Sequence, residues 1–392
     1  MMKECERVPK LRFAEFSKEW QTKTLGEIGS VSMCKRIMKD QTSEIGDIPF
    51  FKIGTFGKTP DAFIDKNLYE NYKSKYSFPK KGDILISASG TIGRTVIYDG
   101  EPAYFQDSNI VWIDNNELIV LNNLLGYLYE NVNWNTENTT IARLYNDNLR
   151  SIDVTFPSLP EQQKIASFLS SVEKKITQLR EKQKLLEDYK KGVMQQIFSQ
   201  KLRFTRERGG EFPDWEEKRL GEVAIINMGQ SPSSNSYNSN GEGLYLIQGN
   251  ADIKDRKTSP RSWTTDPTKR CEIGDLILTV RAPVGAIAKS IHNACIGRGV
   301  CSIKNKSNSN IEFLYQFLLD YEAKWSRLEQ GSTFTAVSGK DIKDVEVPLP
   351  SIEEQTQIAN FLSTIDTKIA VVQTQIAQTQ TFKKGLLQQM FV

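Results

Sequence analysis

The sequence predicts an α+β protein: two similar α/β domains joined by two long helices that pair as an antiparallel coiled coil, arranged as a pseudo-twofold internal repeat. Three observations lead there. The stretch "PSLPEQQKIASFLSSV" from Pro157 to Val172 recurs as "PSIEEQTQIANFLSTI" from Pro350 to Ile365, and an internal repeat sets the architecture before any local reading. The offset of 193 positions then holds without a gap from Asp153/Glu346 to Phe198/Phe391, ending in "YKKGVMQQIF" against "FKKGLLQQMF". Both copies also carry apolar residues at seven-residue spacing, the signature of a coiled-coil seam.

Each copy opens with Ser three residues ahead of Glu, Ser158 with Glu161 and Ser351 with Glu354. That spacing predicts a capping box, in which each side chain satisfies a backbone donor at a helix start. Pro160 falls in the first turn, where a missing donor does no harm. The seam then runs through Ile165, Leu169, Val172, Ile176, Leu179, Leu186 and Val193 in the first copy. In the second it runs through Ile358, Leu362, Ile365, Ile369, Val372, Ile376 and Leu386, while Gln183, Lys190 and Lys383 interrupt the rows. A helix of roughly 38 residues would be about 57 Å long. Such a helix takes most of its stability from burying its stripe, so each is expected to pack on its duplicate; packing of each on its own domain is the alternative.

The expected boundaries are 1–156 for the first domain, 157–200 for the first helix, 201–349 for the second domain and 350–392 for the second helix. Fainter duplication extends into the domains. "KLRF" at Lys10 recurs at Lys201, Trp20 with "LGE" at Leu25 recurs as Trp215 with "LGE" at Leu220, and "KGDILI" from Lys81 resembles "IGDLIL" from Ile273. Between these anchors the two segments diverge, as expected of one fold presenting two different surfaces. "GDILISASG", "TVIYDG", "NIVWID", "GDLILTV" and "GLYLIQG" read as strands with turns. "ELIVLNNLLGYLYENV" and "NIEFLYQFLLDYEAKW" have helical periodicity. The tract "GQSPSSNSYNSNGEG" from Gly229 reads as a loop.

At 392 residues the chain exceeds the size at which one core keeps growing. No apolar run approaches the roughly 20 residues that span a bilayer, and "MMKECERVPKLRF" lacks the apolar core of a signal peptide; a cytoplasmic chain with no membrane role is expected. Five cysteines without a C-x-x-C pair argue against a disulfide framework. A single histidine, His292, cannot build a His-based metal cluster, and it reads as structural. The net charge of +3 is too small to announce a nucleic-acid partner by itself. Walker, nucleophile-elbow and H-E-x-x-H motifs are missing, as is N-P-P-Y. "PDWEEK" at Pro213 has residues too close together for a nuclease metal site. "SGTIG" from Ser89 could cradle a phosphate on backbone donors or be a plain turn.

Both domains do hold loops rich in residues that read base edges and phosphates: Arg bidentate to guanine, Asn or Gln to adenine, hydroxyls and Lys on phosphates. In the first they are Lys35, Arg36, Lys52, Ser87, Ser89, Thr91, Arg94, Thr140, Arg143, Tyr145 and Asn146. In the second they are Gln230, Ser231, Gln248, Asn250, Arg281, Arg298, Ser332 and Thr333. Solvated loop residues are the competing reading for each.

These features together resemble the specificity subunit of type I restriction-modification systems over essentially the whole length. The resemblance is carried by "P-S-x-x-E-Q-x-x-I-A-x-F-L-S", by "KKG-x-x-QQ-x-F", by the "KLRF", "W-x-x-x-x-LGE" and "GD-[IL]-[LI]" anchors and by "GSTFTAVSGKDI". It implies two target-recognition domains that each read one half of a split double-stranded DNA sequence, with the paired helices setting the gap. It further implies a non-catalytic chain that recruits two methylation subunits and, through the complex, restriction subunits. S-adenosylmethionine, ATP and Mg would then be held by those partners, with no cofactor or metal on this chain. A coiled-coil adaptor that bridges two partner proteins without touching DNA is the alternative.

Overall fold

A computed structural model describes residues 8–132, 134, 144–206, 209–329 and 336–392. The chain divides into two compact units, one comprising Met1–Gln178 with Gln375–Val392 and the other Leu179–Thr374. Each unit therefore takes half of the helix Leu159–Phe198 and half of the helix Ile352–Met390.

In the first unit the strands Gly29–Ser32, Ile110–Asn115, Ile84–Ser87 and Thr95–Ile97 pair in that order, all antiparallel. A second sheet orders Thr42–Ser43, Phe63–Ile64, Ile48–Phe51 and Tyr104–Phe105, the last pair parallel. Alternation along the strands explains how one sheet serves two cores. Ile84, Ile86, Val111 and Ile113 enter a core with the helix Asn122–Asn131 and with both long helices, whereas Leu85, Ile110 and Trp112 face Phe50, Phe56 and Tyr104.

The second unit repeats this plan. Ala224–Met228, Val300–Asn305, Leu276–Thr279 and Ile287–Lys289 form the equivalent order, extended by Lys257–Thr258 and Ile253–Lys254. Leu276, Leu278 and Ile303 enter the core shared with the helix Ile311–Glu329, and Ile277 and Val300 face the other way. The first unit's helix Lys66–Lys75, between Phe63–Ile64 and Ile84–Ser87, has no helical counterpart among the described residues of the second, where the stretch between the equivalent strands Ser262–Thr264 and Leu276–Thr279 holds the short strand Arg270–Cys271.

All seam positions among the described residues are buried or half-buried. Ile165, Leu169, Val172 and Ile176 share the first unit's core with Leu386, Met390 and Phe391. Val193 and Ile197 share the second unit's core with Ile358, Leu362 and Ile365, and Ile369 packs against it. Leu179 and Val372 are buried, Leu186 and Ile376 half-buried. In both units a helix start shares a core with a helix end, and that core also contains the domain. Each long helix thus packs against both units' domain residues, with residues of the other helix in the same core.

The lysines that interrupt the apolar rows are paired. Lys190 Nζ lies 2.7 Å from Asp366 Oδ1 in the second unit; in the first, Lys383 Nζ lies 2.8 Å from Glu173 Oε1 and 3.2 Å from Glu130. Lys190 and Lys383 are repeat equivalents, as are Glu173 and Asp366, so the two contacts are one contact written twice. Each acid is also tied to the domain helix: Tyr127 Oη donates to Glu173 at 3.0 Å and Gln316 Nε2 to Asp366 at 2.8 Å.

The glutamates expected in capping boxes do something else. Glu161 is 1% exposed and Glu354 0%. Arg12 Nε and Nη2 donate to the two oxygens of Glu161 at 2.7 and 2.8 Å, with Trp20 Nε1 at 3.4 Å. Arg203 and Trp215 grip Glu354 in the same way, at 3.2, 2.9 and 3.0 Å. A carboxylate this deep needs a full set of donors, and the "KLRF" and Trp anchors supply them. The neighbouring glutamine closes the other side. Gln162 Nε2 donates to Ile119 O and Pro157 O while Oε1 accepts from Leu121 N; Gln355 bonds Asn308 O, Pro350 O and Asn310 N. The Ser half of the box survives at Ser351, whose hydroxyl accepts from Glu354 N at 3.4 Å.

Two further stretches differ from expectation. The helix anticipated from Glu117 begins at Asn122, because Asn115 Nδ2 donates to Val120 O at 2.6 Å, Asn115 Oδ1 accepts from Glu117 N, and Glu117 takes φ 58°. The tract after Gly229 contains a short 3-10 turn, Ser234–Ser236, and the strand Tyr237–Asn238 paired to Trp263 and Thr264. The repeated Gly-Asp is a turn in each unit: Gly82 and Gly274 adopt φ 96° and 95°, open only to glycine without strain, while Asp83 and Asp275 accept from the Lys80 and Glu272 amides. Burial holds both carboxyls above the usual range despite those bonds.

Replacing Arg12 by Ala leaves the Glu161 carboxylate buried without its principal partner, and is expected to destabilise the protein by about 3–5 kcal/mol. Arg12→Ala combined with Glu161→Gln is expected to recover part of the loss, as read from urea unfolding of the single and double variants.

Candidate nucleic-acid interface

Three loops of the first unit line one groove of about 470 Å³, with Arg36 and Met38 from the loop after Gly29–Ser32, Lys52 from the loop after Ile48–Phe51, and Gln106, Asp107 and Asn109 from the loop before Ile110–Asn115. Backbone geometry fixes them. Gln106 N donates to Phe51 O at 3.0 Å and Ile53 N to Gln106 Oε1 at 2.9 Å, tying the second loop to the third. Tyr104 Oη donates to Lys35 O at 3.0 Å, which holds the first. Beneath it Cys34 is buried, and burial pushes its thiol up to about 12, so it packs as a neutral side chain.

The charged side chains of this groove are mostly engaged. Lys52 pairs with Asp61 at 2.8 Å, Lys35 Nζ sits 5.2 Å over the Tyr76 ring, and Arg36 Nε donates to Asp107 Oδ2 at 2.9 Å. Ser89 Oγ donates to Asn109 Oδ1 at 2.9 Å, which joins the turn after Ile84–Ser87 to the same region.

That turn is "SASGTIGR", and its organisation is internal. The buried Ser87 hydroxyl donates to Thr91 O and accepts from Arg94 N at 2.9 Å, while Arg94 Nη1 donates to Phe56 O at 3.0 Å. Gly90 and Gly93 have φ 66° and 77°, the backbone of a strand-connecting turn, and a Cβ on Gly93 would lie 2.3 Å from the Trp134 ring. Thr91 is exposed at its tip. Leu144 N donates to Ala88 O at 2.8 Å, so Tyr145 and Asn146, which start the helix Asn146–Arg150, follow a residue pinned to the turn. Thr140, Arg143, Ser332 and Thr333 lie outside the described residues.

The second unit brings together the equivalent loops with different side chains. Gln230 and Ser231 follow Ala224–Met228, Gln248 and Asn250 follow Leu244–Ile247, and Arg298 precedes Val300–Asn305. Ser231 Oγ accepts from Arg298 N at 3.2 Å and from its Nε at 3.4 Å. Gly297 N donates to Ile247 O at 2.8 Å, and a Cβ on Gly299 would lie 2.1 Å from Gln248 O, so these loops approach too closely for larger residues. The turn after Leu276–Thr279 copies its counterpart: Thr279 Oγ1 donates to Pro283 O at 2.7 Å and accepts from Ala286 N at 2.9 Å. Arg281 stands exposed beside it, in a bridge with Ala336.

Sequence reading missed the third loop of the first unit, Gln106 to Asn109. Its signal was present in the polar "QDSN" between two apolar strands, facing "GRG" at the equivalent place in the second copy. The remaining motifs are absorbed structurally. Trp215 of "PDWEEK" donates to Glu354 and Lys218 pairs with Glu216 at 2.9 Å. His292 Nδ1 lies 2.8 Å from Thr258 Oγ1, and its ring packs on Tyr245. Among the described residues no group of three or more His, Cys, Asp or Glu is placed to hold a metal ion, and no helix is long and apolar enough to cross a membrane.

The chain matches the model of the type I restriction modification DNA specificity domain twice, over residues 17–187 and 213–380. It is 30% identical to the MjaX specificity subunit assigned to a type I restriction enzyme of Methanocaldococcus jannaschii, over 97% of this chain and 95% of that one. A stretch of 150 residues is 62% identical to a protein of Haemophilus influenzae designated type I restriction enzyme specificity subunit S.HindORF215P; it spans 38% of this chain and 39% of that relative. Among solved structures, the type I restriction-modification S subunit of M. genitalium aligns with TM-score 0.63 over 98% of this chain and 99% of that one at 16% identity. A chain from a structure of type I R-M complex assembly aligns with TM-score 0.60 at 24% identity, over 94% and 95%.

Ser87→Ala is expected to cost about 1–3 kcal/mol, because it leaves the Arg94 amide unpaired in a buried turn. Thr91→Ala, four residues on at the exposed tip, is expected to stay within about 0.5 kcal/mol of wild type. Denaturant unfolding of the two variants side by side checks the contrast.

Proposed function

The chain belongs to the type I restriction-modification DNA specificity family, and on that premise we propose that it is the sequence-reading, non-catalytic component of such a complex, binding a bipartite double-stranded DNA target. The observation that carries this reading is the pairing of sameness with difference. Three loops occur at equivalent places in two units, held by equivalent backbone bonds, yet they carry Lys35, Arg36, Lys52 and Asp107 in one and Gln230, Ser231, Gln248 and Arg298 in the other. One scaffold with two chemistries suits a target made of two unlike half-sites, each read in the groove by side chains.

In this proposal 1–156 and 201–349 are the target-recognition domains, and 157–200 and 350–392 are helices paired antiparallel as a coiled-coil spacer. The matching contacts Lys190 to Asp366 and Lys383 to Glu173, each joining one helix's start to the other's end, support that pairing. Two copies of one docking surface would recruit two methylation subunits, and restriction subunits through the assembled complex. S-adenosylmethionine, ATP and Mg would serve those subunits, and this chain's own residues would bind and orient DNA.

Selection from random duplex DNA by the complex with its methylation subunits is expected to return a split motif with a fixed unspecified gap. A single contiguous site, or binding indifferent to salt where phosphate contacts demand a steep fall, would instead favour an adaptor that does not touch DNA. Four residues inserted after both Leu179 and Val372 lengthen each helix by about 6 Å. The gap is then expected to grow by about one or two base pairs at ~3.4 Å each, with both half-sites unchanged in the same selection.

A further inference from the structure

We propose that Arg36, braced by Asp107, reads a guanine in one half of the target; this rests on the DNA-reading function above and names the base and the side chain. The Arg36 side chain is 66% exposed and its partner carboxylate 18%. Only Nε is used, donating to Asp107 Oδ2 at 2.9 Å, and neither Nη makes a hydrogen bond among the described residues. A guanidinium anchored through Nε keeps two parallel donors pointing outward, the fork that matches guanine O6 and N7. Bracing removes rotamer freedom before DNA arrives, so less is lost on binding.

Among the described residues, the other cations of this unit that sequence reading selected are committed elsewhere: Lys52 to Asp61, Arg94 to the Phe56 carbonyl and Lys35 to the Tyr76 ring. Arg36 also borders the groove of about 470 Å³ that Met38 and Phe50 line, a concave wall beside the fork. Electrostatics separates a base from a phosphate. With Asp107 attached the pair is close to neutral, and its carboxylate repels a phosphate anion, while the O6 and N7 acceptors of guanine are uncharged. In the second unit the same two loops meet again, but the arginine has changed loops: Ser231 stands at the position equivalent to Arg36 and braces Arg298. The crossing is retained and the reading group is moved, as two unlike half-sites require.

The test is selection from random duplex DNA by the complex with its methylation subunits, for wild type, Arg36→Ala, Asp107→Ala and Arg298→Ala, with the salt dependence of binding measured alongside. Arg36→Ala is expected to lower the preference for guanine at one position of one half-site by on the order of 10- to 100-fold, leaving the other half-site and the salt slope unchanged. Asp107→Ala is expected to relax the same position to a smaller degree while tightening binding to unrelated duplex. Arg298→Ala is expected to leave that position intact. An unchanged motif for Arg36→Ala overturns the proposal. So does a uniform loss across sequences with the slope reduced by about one, the mark of a phosphate contact. Should wild type itself return no split motif, the underlying reading fails instead, and the two failures are distinct.

Discussion

Amphipathic helices of 40 and 39 residues, Leu159–Phe198 and Ile352–Met390, cannot leave their apolar stripes in water. The rest of the structure follows from where those stripes are buried. Neither helix belongs wholly to the domain that precedes it, for each unit's core contains the first half of one helix and the last half of the other. The seam alone would tolerate sliding, since apolar contacts are not directional. The paired lysines add direction: each sits in an apolar row and is met by an acid from the other helix, which is itself held by the domain.

At the other end of each domain the buried glutamate does comparable work. Arg12 and Trp20 on Glu161, and Arg203 and Trp215 on Glu354, tie the chain entering the domain to the helix leaving it. With Gln162 and Gln355 seizing the loop before each domain helix, the entry, the loop and the exit of a unit are fixed around one polar cluster. The polar loops at the strand ends can then differ between units without disturbing the frame. The residues that hold the frame are distinct from those of the variable loops, so in the proposed function one fold can serve twice for unlike half-sites.

Much of this was legible in the sequence. The repeat pointed to both long helices, and alternating or β-branched runs between turn residues pointed to the strands Ile84–Ser87, Ile110–Asn115 and Leu276–Thr279. Unseen were the partners that lie far along the chain. Glu161 looks like a local cap because Ser158 is three residues away, whereas its real partner, Arg12, is 149 residues distant. The start of the helix at Asn122 was hidden for a similar reason, since a side chain on the preceding strand, Asn115, holds the intervening turn against the periodicity. Of the candidate reading residues, Arg36, Lys52 and Arg298 emerged on converging loops, while Ser87 is occupied by its own turn. Composition can nominate a polar loop residue, but only the fold shows which of its hydrogen bonds are already taken.

The claim on which this account turns is that each unit is completed by both helices through one repeated charge contact. A double-mutant cycle on Lys190→Asp and Asp366→Lys, read by denaturant unfolding, tests it most directly. The account predicts that each single reversal destabilises the protein and that the double reversal recovers part of the loss, with a coupling of about 1–3 kcal/mol. Strictly additive effects would show that the two side chains do not act on each other, and would contradict it.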